Sequence, residues 1–291
     1  MILLLNDIAM TLSLQGCKSI MPSQLYVYLL YFLKPMFTIP FTLLLVLATF
    51  LAGALIIFFL VQKYLSFLTI EDTSHATIFS FAIGTVFGLT LAFITVSTWQ
   101  NYNRLNSIVM QEATNLTTIY RSLDAFQPAL RDKSTQLITS YVEKVITKEW
   151  PLMAKSQFND QYFADFHQFQ LLMLRHNPAN NAELIAQQEE LRLISEYYKL
   201  RIERITTSKA ALDYSMTLTL CLGAFIFILY HSLYAMPKRR DHILMISLLA
   251  ISLGLIYFLI VCHNTPFSGP NAIQPDELNR ILELWKIDSL K

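Results

Sequence analysis

The sequence predicts an all-α, polytopic membrane protein with four transmembrane helices and a helical cytoplasmic insert between the second and the third. Hydrophobic residues make up 54% of the 291 residues and charged residues only 15%, whereas a soluble domain usually has about 25% charged residues. The apolar residues are concentrated in four long runs. The polar segment between the second and third runs has apolar residues at three- and four-residue steps, which indicate amphipathic helices.

Each of the four runs is long enough to cross the hydrocarbon core of a bilayer, which takes about 20 helical residues. They lie at about Phe41–Gln62, Thr77–Thr98, Leu212–Leu233 and Ile243–Cys262, with Asp213 as their only Lys, Arg, Asp or Glu. The predicted regions are an N-terminal extension with an interfacial helix before Pro35 (1–40), a transmembrane hairpin (41–98), the insert (99–211), a second hairpin (212–262), and a C-terminal turn and helix (263–291).

Two helices are expected to connect the insert to the membrane. No strong helix breaker interrupts residues 75–126 or 180–233, so each is predicted to be one continuous helix. In the second helix, apolar and small residues alternate at steps of four and three, which is typical of a packing seam against neighbouring helices. This stripe, called the 184–205 seam below, consists of Leu184, Gln188, Leu191, Ser195, Tyr198, Ile202 and Ile205.

The charge pattern gives only a weak indication of orientation. Basic residues near the membrane ends are divided almost evenly between the two sides, and the run Lys238–Arg240 lies opposite the insert. We expect the insert and both termini on the cytoplasmic side of a bacterial inner membrane, although that basic run opposes the positive-inside rule.

The second run has two faces of interest. Gly84, Gly88 and Ala92 are four residues apart, and small residues at this spacing let helix backbones approach closely in lipid. The adjacent face carries Thr85, Leu89 and Phe93. If copies of the chain surround an axis, these side chains would form a narrow apolar neck. The alternative is that Leu89 and Phe93 are ordinary core or lipid-facing residues.

Uncharged polar residues follow Phe93 directly. Ser97, Gln100 and Asn101 could replace part of an ion's hydration shell at the mouth of a pore. The same residues would also be expected simply because the helix meets water there, and Trp99 beside them fits an interfacial aromatic belt under either interpretation.

Four motifs together resemble the bestrophins, and in particular the bacterial bestrophin-like membrane proteins. They are "FGLTLAFITVSTWQNYNR" followed by "EATNLTTIYRSL", then "EWPLM", "RIERI", and the C-terminal "NTPFSGPNAIQPDELNRILELW". In the last, Pro266, Phe267, Pro275 and Leu278 are similar to the turn and helix that follow the final span of bestrophins. The resemblance covers about residues 40–285.

The resemblance implies a homo-oligomeric ion channel, pentameric in bestrophins, whose second span lines the pore. Phe93 would match the neck phenylalanine, with Leu89 and Thr85 one and two turns before it. Bestrophins follow that phenylalanine with arginine, where this chain has Ile94, and carry a basic residue where it has Asn101. An acidic calcium-binding cluster after the last span is not evident in the sequence. Anion selectivity and calcium gating are therefore not implied.

Other classes of function have little support in the sequence. A net charge of +1 gives no field for nucleic acid. The histidines are scattered, the three cysteines form no paired motif, and no phosphate-binding loop is present. We expect no enzymatic activity, no cofactor and no metal. The expected partners are the lipid bilayer, further copies of the chain and small inorganic ions. The alternative is a non-conducting membrane scaffold or sensor whose helical insert binds a partner.

Overall fold

The computed structural model describes residues 23–70, 73–208 and 212–288, and in them the fold is helical without a β-strand. The α-helices, in chain order, are α1 (Ser23–Tyr64), α2 (Thr73–Ser122), α3 (Pro128–Lys144), α4 (Trp150–Met153), α5 (Ala164–Arg175), α6 (Asn181–Ser208), α7 (Tyr214–Ser232), α8 (Arg239–Asn264) and α9 (Asp276–Asp288). One π-helical turn, Val145–Glu149, joins α3 to α4.

Four helices are long and apolar enough to cross a membrane, which confirms the predicted all-α class with four candidate spans; the placement of the insert on the cytoplasmic side stays a prediction. They comprise Ile39–Tyr64, Thr77–Ala125, Tyr214–Ser232 and Arg239–Asn264. The N-terminal end differs from the prediction, because the helix expected to stop before Pro35 is continuous with the first span in α1. Residues 1–22 of the predicted extension lie outside the described residues.

The first of the two predicted long helices is confirmed, whereas the prediction that residues 180–233 form one continuous helix is wrong. Helix α2 runs without interruption from Thr73 to Ser122. By contrast, α6 ends at Ser208 and α7 begins at Tyr214. Asp213 is extended, with φ −60° and ψ 152°, and its carboxylate accepts a hydrogen bond from the backbone N–H of Tyr214. Aspartate is a preferred N-cap because it satisfies a backbone donor that the first helical turn leaves free.

The chain divides into two compact units. The span unit comprises the described residues up to Gln100, Leu212–Thr265 and Gly269–Asn271. Its buried centre includes Ala54, Phe58, Leu91, Leu220 and Ala250. Small residues allow close packing here, since a Cβ added at Gly254 of α8 would lie 3.0 Å from the Leu47 side chain of α1.

The insert unit comprises Asn101–Ser208, Pro266–Ser268 and the described residues from Ala272 onward. Its centre is aromatic, with Tyr141, Phe166, Phe169 and Tyr197 almost fully buried. Helix α9 is attached by Trp285, whose ring stacks on Tyr120 with centroids 4.3 Å apart and planes 4° apart. The predicted C-terminal helix therefore packs into this unit.

The buried face of α6 is not the predicted 184–205 seam. Leu184, Tyr198 and Ile202 of that seam are 39–47% exposed. The buried residues are Glu183, Gln187, Glu190, Leu193, Ile194, Tyr197, Arg201 and Arg204. The prediction failed because it sought hydrophobicity, whereas this face buries charged and amide groups that have partners inside the unit.

Candidate pore-lining helix and buried ion-pair cluster

Helix α2 is the span that its own chain covers least. Only 6% of its most apolar window is buried, against 17–28% for the other three spans. Its contacts with the rest of the span unit run along Gly84, Phe87, Leu91 and Ile94, and Ser80 Oγ lies 2.9 Å from His231 Nε2. Most of the surface of this apolar part of α2 is not covered by the described residues, and we expect lipid or other copies of the chain there.

The predicted neck residues share the face of α2 that points away from this contact. Leu89 is 55% exposed and Phe93 is 73% exposed. With 3.6 residues per turn, Leu89 lies on the opposite side of the helix from Phe87 and Leu91. Thr85, also exposed, donates its hydroxyl hydrogen to the carbonyl of Phe81 at 2.7 Å. It therefore presents only oxygen lone pairs outward. The role of this face as a neck stays a prediction.

Of the predicted packing residues Gly84, Gly88 and Ala92, the first alone packs closely against a described helix of the same chain. A Cβ added at Gly84 would lie 3.2 Å from the ring of Phe227 on α7, so this glycine permits a close helix contact. At Gly88 an added Cβ would meet nothing within 4 Å, and Ala92 is exposed. Packing at Gly88 and Ala92 would require another molecule, and for them the assignment stays a prediction.

The predicted mouth residues also differ from one another. Ser97 and Gln100 are exposed in the span unit, whereas Asn101, the first residue of the insert unit, is partly buried and already engaged by other groups. Of the three predicted mouth residues, Ser97 and Gln100 are therefore the two exposed on the described part of the chain.

Sequence reasoning missed the most polar site in the core, a buried ion-pair cluster in the insert unit. It consists of Arg201 and Arg204 from α6, Glu112 from α2 and Glu149 from the π-helical turn. The Arg204 guanidinium donates to Glu112 at 2.7 Å and to Glu149 at 2.7 Å, and Arg201 donates to the other oxygen of Glu149 at 3.0 Å. All four side chains are at least 95% buried.

The two arginines hold Glu149 in the ionised state, whereas burial raises the pKa of Glu112 to about 7 although Arg204 opposes this. Burial alone would raise the pKa of Glu149, but Arg204 and Arg201 outweigh burial and lower it below the ordinary value. Burial would likewise lower the pKa of Arg204, but Glu112 and Glu149 outweigh it and raise that pKa. Such a group is costly to break, because removing one partner leaves an uncompensated charge in a low-dielectric interior.

The cluster is not fully satisfied. Within the described residues, Glu112 Oε1 and Arg201 Nε have no hydrogen-bond partner. Aromatic rings cover the two arginines instead. The guanidinium carbon of Arg204 lies 5.2 Å from the centre of the Trp150 ring, and that of Arg201 lies 4.7 Å from the centre of the Phe163 ring. A cation over a ring face gains electrostatic stabilisation without a hydrogen bond.

The residues of this cluster come from the motifs that carried the family resemblance. Glu149 and Trp150 begin "EWPLM", Arg201 and Arg204 belong to "RIERI", and Glu112 begins "EATNLTTIYRSL". The C-terminal motif joins them through Trp150, whose Nε1–H donates to the carbonyl of Ile273 at 3.0 Å. The signal in the sequence was therefore the acidic and basic residues that these motifs contain.

Comparison with known proteins decides the family. The Bestrophin-like domain model matches residues 45–278, which is most of the chain. The chain belongs to the Bestrophin-like family. No curated protein matches it. The matched region of this Bestrophin-like chain includes most of the first span, the other three spans and every residue of the buried cluster.

Solved structures show the same fold. Two crystal structures of a bacterial bestrophin homologue from Klebsiella pneumoniae, each carrying one substitution, both have a TM-score of 0.55. Their sequence identities are 13% and 10%, and they cover 84% and 86% of this chain and 97% and 98% of their own. A crystal structure of a membrane protein with one substitution has a TM-score of 0.51 at 12% identity and covers 84% of this chain and 97% of its own.

A metal centre has no basis in the described part of the Bestrophin-like chain. No group of three or more His, Cys, Asp or Glu residues is arranged there to hold a metal ion. The two cysteines described, Cys221 and Cys262, are both free. The features that remain for function are the outward face of α2 and the cluster that organises the insert unit.

Proposed function

We propose that this Bestrophin-like chain forms a homo-oligomeric channel, pentameric as its family resemblance implies, that passes small ions through a pore lined by α2. The observation that carries the proposal is the outward face of α2, where Leu89 and Phe93 are exposed at successive turns opposite the helix's own packing contact. Repeated around an axis, these side chains would form an apolar constriction. The role is not enzymatic and needs no cofactor.

The surroundings of that face support the proposal. Between Thr77 and Asn103 the helix carries no Lys, Arg, Asp or Glu, so the proposed wall is neutral throughout the membrane. The first charge beyond it, Arg104, already pairs with Glu203 at 2.7 Å. Thr85 and Ser97 would provide polar surfaces on either side of the apolar neck. In this arrangement the insert and both termini face the cytoplasm of a bacterium, and the spans lie in its inner membrane.

Ion flux from liposomes that contain the purified chain tests this proposal. We expect the wild type to release a trapped salt and Phe93→Ala to release it several-fold faster, because the smaller side chain widens the neck. Phe81→Ala is the matched control, since Phe81 is a similarly exposed phenylalanine on the same helix but lies about a quarter turn from the side of Leu89. It should release salt at the wild-type rate.

Assembly is tested separately from conduction. A cysteine introduced at Leu89 should crosslink between copies if this face surrounds an axis, and light scattering in detergent should give the mass of a closed ring. A lone subunit, or faster flux from the Phe81 variant than from the Phe93 variant, contradicts the proposed pore.

A second function, a partner-binding scaffold, is favoured by one observation in the insert unit. An open cavity of about 460 Å³ lies beside Asp160, Phe163, His167 and Tyr198, and Tyr198 is 47% exposed. A chain that forms rings but releases no salt would favour this role.

A further inference from the structure

A second cavity lies in the span unit, where α1 ends and α8 begins. Its volume is about 440 Å³, and its walls combine aromatic, polar and basic side chains. The lining residues that matter here are Phe58, Phe59, Lys63, Arg239 and His242. The proposed channel makes no use of this cavity.

A backbone tie between the two loops that close the hairpins adjoins the lining residues Thr69, Tyr234 and Ala235. The N–H of Ile70 donates to the carbonyl of Leu233 at 2.9 Å, and the N–H of Ala235 donates to the carbonyl of Ile70 at 3.1 Å. Beside it, His242 is 3% exposed. Its Nε2 lies 3.0 Å from the carbonyl of His231, and its ring meets Phe58 edge-on with centroids 4.7 Å apart. The cavity is thus fixed by packing and hydrogen bonds.

The charged side chains among the described residues that line the cavity are basic. Lys63 and Arg239 both line it, and no carboxylate does so among the described residues. The guanidinium of Arg239 lies 5.3 Å from the centre of the Phe59 ring, which orients it. Helix α8 begins at Arg239 and runs for 26 residues, and its N-terminal end contributes a positive potential that Asp241 in the first turn partly offsets. An anion would be stabilised here by all three.

The rim is apolar. Phe59 is 45% exposed, Met236 is 39% exposed, and in the neighbouring turn Phe67 is 77% exposed and Leu68 is 51% exposed. Large exposed apolar side chains beside a basic cavity, at the end of helices that can span a membrane, match the boundary between headgroups and acyl chains. A free anion would use the charges and leave these side chains in water.

We propose that this cavity binds the phosphate of an anionic phospholipid headgroup, with Lys63 and Arg239 as its charged contacts and the apolar rim against the acyl chains. Basic pockets between transmembrane helices bind anionic head groups on the cytoplasmic side of membranes, and the same pairing of charge and headgroup would hold in the other leaflet, where the proposed orientation puts the two hairpin loops. The basic run Lys238–Arg240, which opposed the predicted orientation, then has a role: one of its members recognises lipid.

Native mass spectrometry of the full chain in a neutral detergent tests the site. Phosphatidylglycerol is the probe, and phosphatidylcholine and inorganic phosphate are the comparison ligands. We expect phosphatidylglycerol to be retained in preference to phosphatidylcholine. Exchanging Lys63→Gln or Arg239→Gln should weaken retention by about fivefold each, because a basic residue near an anionic headgroup contributes about that factor.

Two further variants separate a built site from general surface charge. Arg240→Gln removes the same charge one residue away, outside the cavity lining, and should leave retention near the wild-type level. Ala235→Phe fills the cavity without changing charge and should abolish retention. A normal melting temperature without lipid shows that each variant is folded.

Three outcomes overturn the proposal. Equal retention of the two lipids removes the preference for an anionic headgroup. Equal losses in the Arg239 and Arg240 variants, or full retention in the Ala235 variant, show a diffuse surface effect. Inorganic phosphate that binds and is lost in the Lys63 variant, while phosphatidylglycerol is not retained, shows a free-anion site instead.

Discussion

The two units of this chain differ in the polar bonds that join their elements: the insert unit has buried ion pairs, whereas the span unit has contacts such as that of Ser80 Oγ with His231 Nε2 at 2.9 Å. In the span unit, hydroxyls such as those of Thr85, Thr90 and Thr95 donate to carbonyls of their own helix, four residues back. In the insert unit, polar side chains reach other elements, as Arg204 reaches Glu112 and Glu149. Bonds within a helix do not specify its neighbours, whereas bonds between elements do. The packing of the insert unit is therefore specified by contacts within the unit, whereas the outward face of α2 in the span unit stays exposed.

The largest loss of stability is expected from a change at Arg204. Changing Arg204→Met leaves Glu112 and Glu149 buried without their shared cation, and breaking a buried pair in this way costs about 3–5 kcal/mol. The melting temperature of the purified chain in detergent should fall sharply. The matched control is Arg192→Met on the same helix, because Arg192 also contacts two carboxylates but is 59% exposed. An exposed pair contributes little, and a large drop in the control would remove the distinction.

The next effect concerns Glu190, a buried carboxyl on α6 that accepts a hydrogen bond from Ser122. Burial raises its pKa to about 7, although the Ser122 hydrogen bond opposes this. Because the folded pKa is above the unfolded one, the stabilisation is complete below about pH 4.5 and is lost as the pH rises through about 7. This group should make the chain about 2 kcal/mol less stable at pH 8 than at pH 5.

Glu190→Gln is the test of that pH dependence. The amide keeps an acceptor for Ser122 but cannot ionise, so the variant should melt higher than the wild type at pH 8 and show a flatter profile between pH 5 and pH 8. Glu196→Gln, an exposed carboxyl on the same helix, should keep the wild-type profile. Parallel profiles for the Glu190 variant and the wild type would contradict the prediction.

A smaller loss of stability is expected where the packing of the span unit requires a glycine. A Cβ added at Gly223 of α7 would lie 2.3 Å from the ring of Phe87 on α2. Gly223→Ala must displace that ring and should cost about 1–2 kcal/mol. Gly53→Ala is the control, since an added Cβ there meets nothing within 4 Å. Equal melting temperatures for the two variants would show that shape is not what holds α2 in this unit.

The smallest effect on the subunit itself is expected at Ile202. This residue of the 184–205 seam is 43% exposed, so Ile202→Ser should change the stability of one chain by less than about 0.5 kcal/mol. If the seam packs between copies in the proposed oligomer, light scattering should show a smaller assembly. Ser195→Ala, a small change on the same stripe, is the control. An unchanged mass would remove the seam from the interface.

The sequence was sufficient for the features that depend on composition and continuity. Twenty apolar residues without a charge can hardly be anything but a span, and α2 contains no proline to end it. The sequence alone could not predict the structure at Asp213, because an aspartate at the edge of an apolar run is compatible both with a helix interior and with an N-cap. Only the extended backbone there decides between them.

The candidate site was predicted only in part, for a physical reason. The outward placement of Leu89 and Phe93 follows from helical periodicity. The cluster around Arg204 does not, since a charge inside a helical pattern normally indicates a solvated face. What reverses that expectation is a partner more than fifty residues away, such as Glu149, and the sequence pattern of a single helix contains no information about it.

The backbone tie between the loops at Ile70 and Leu233 has a consequence for how the chain is made. The first hairpin leaves the ribosome well before the second, and the entire insert is synthesised between them. The hydrogen bonds of Ile70 to Leu233 and Ala235 therefore cannot form until the second loop has been synthesised. Membrane insertion of the first hairpin alone would leave this contact between the loops unformed. Forming it would be among the last steps in the biogenesis of the protein.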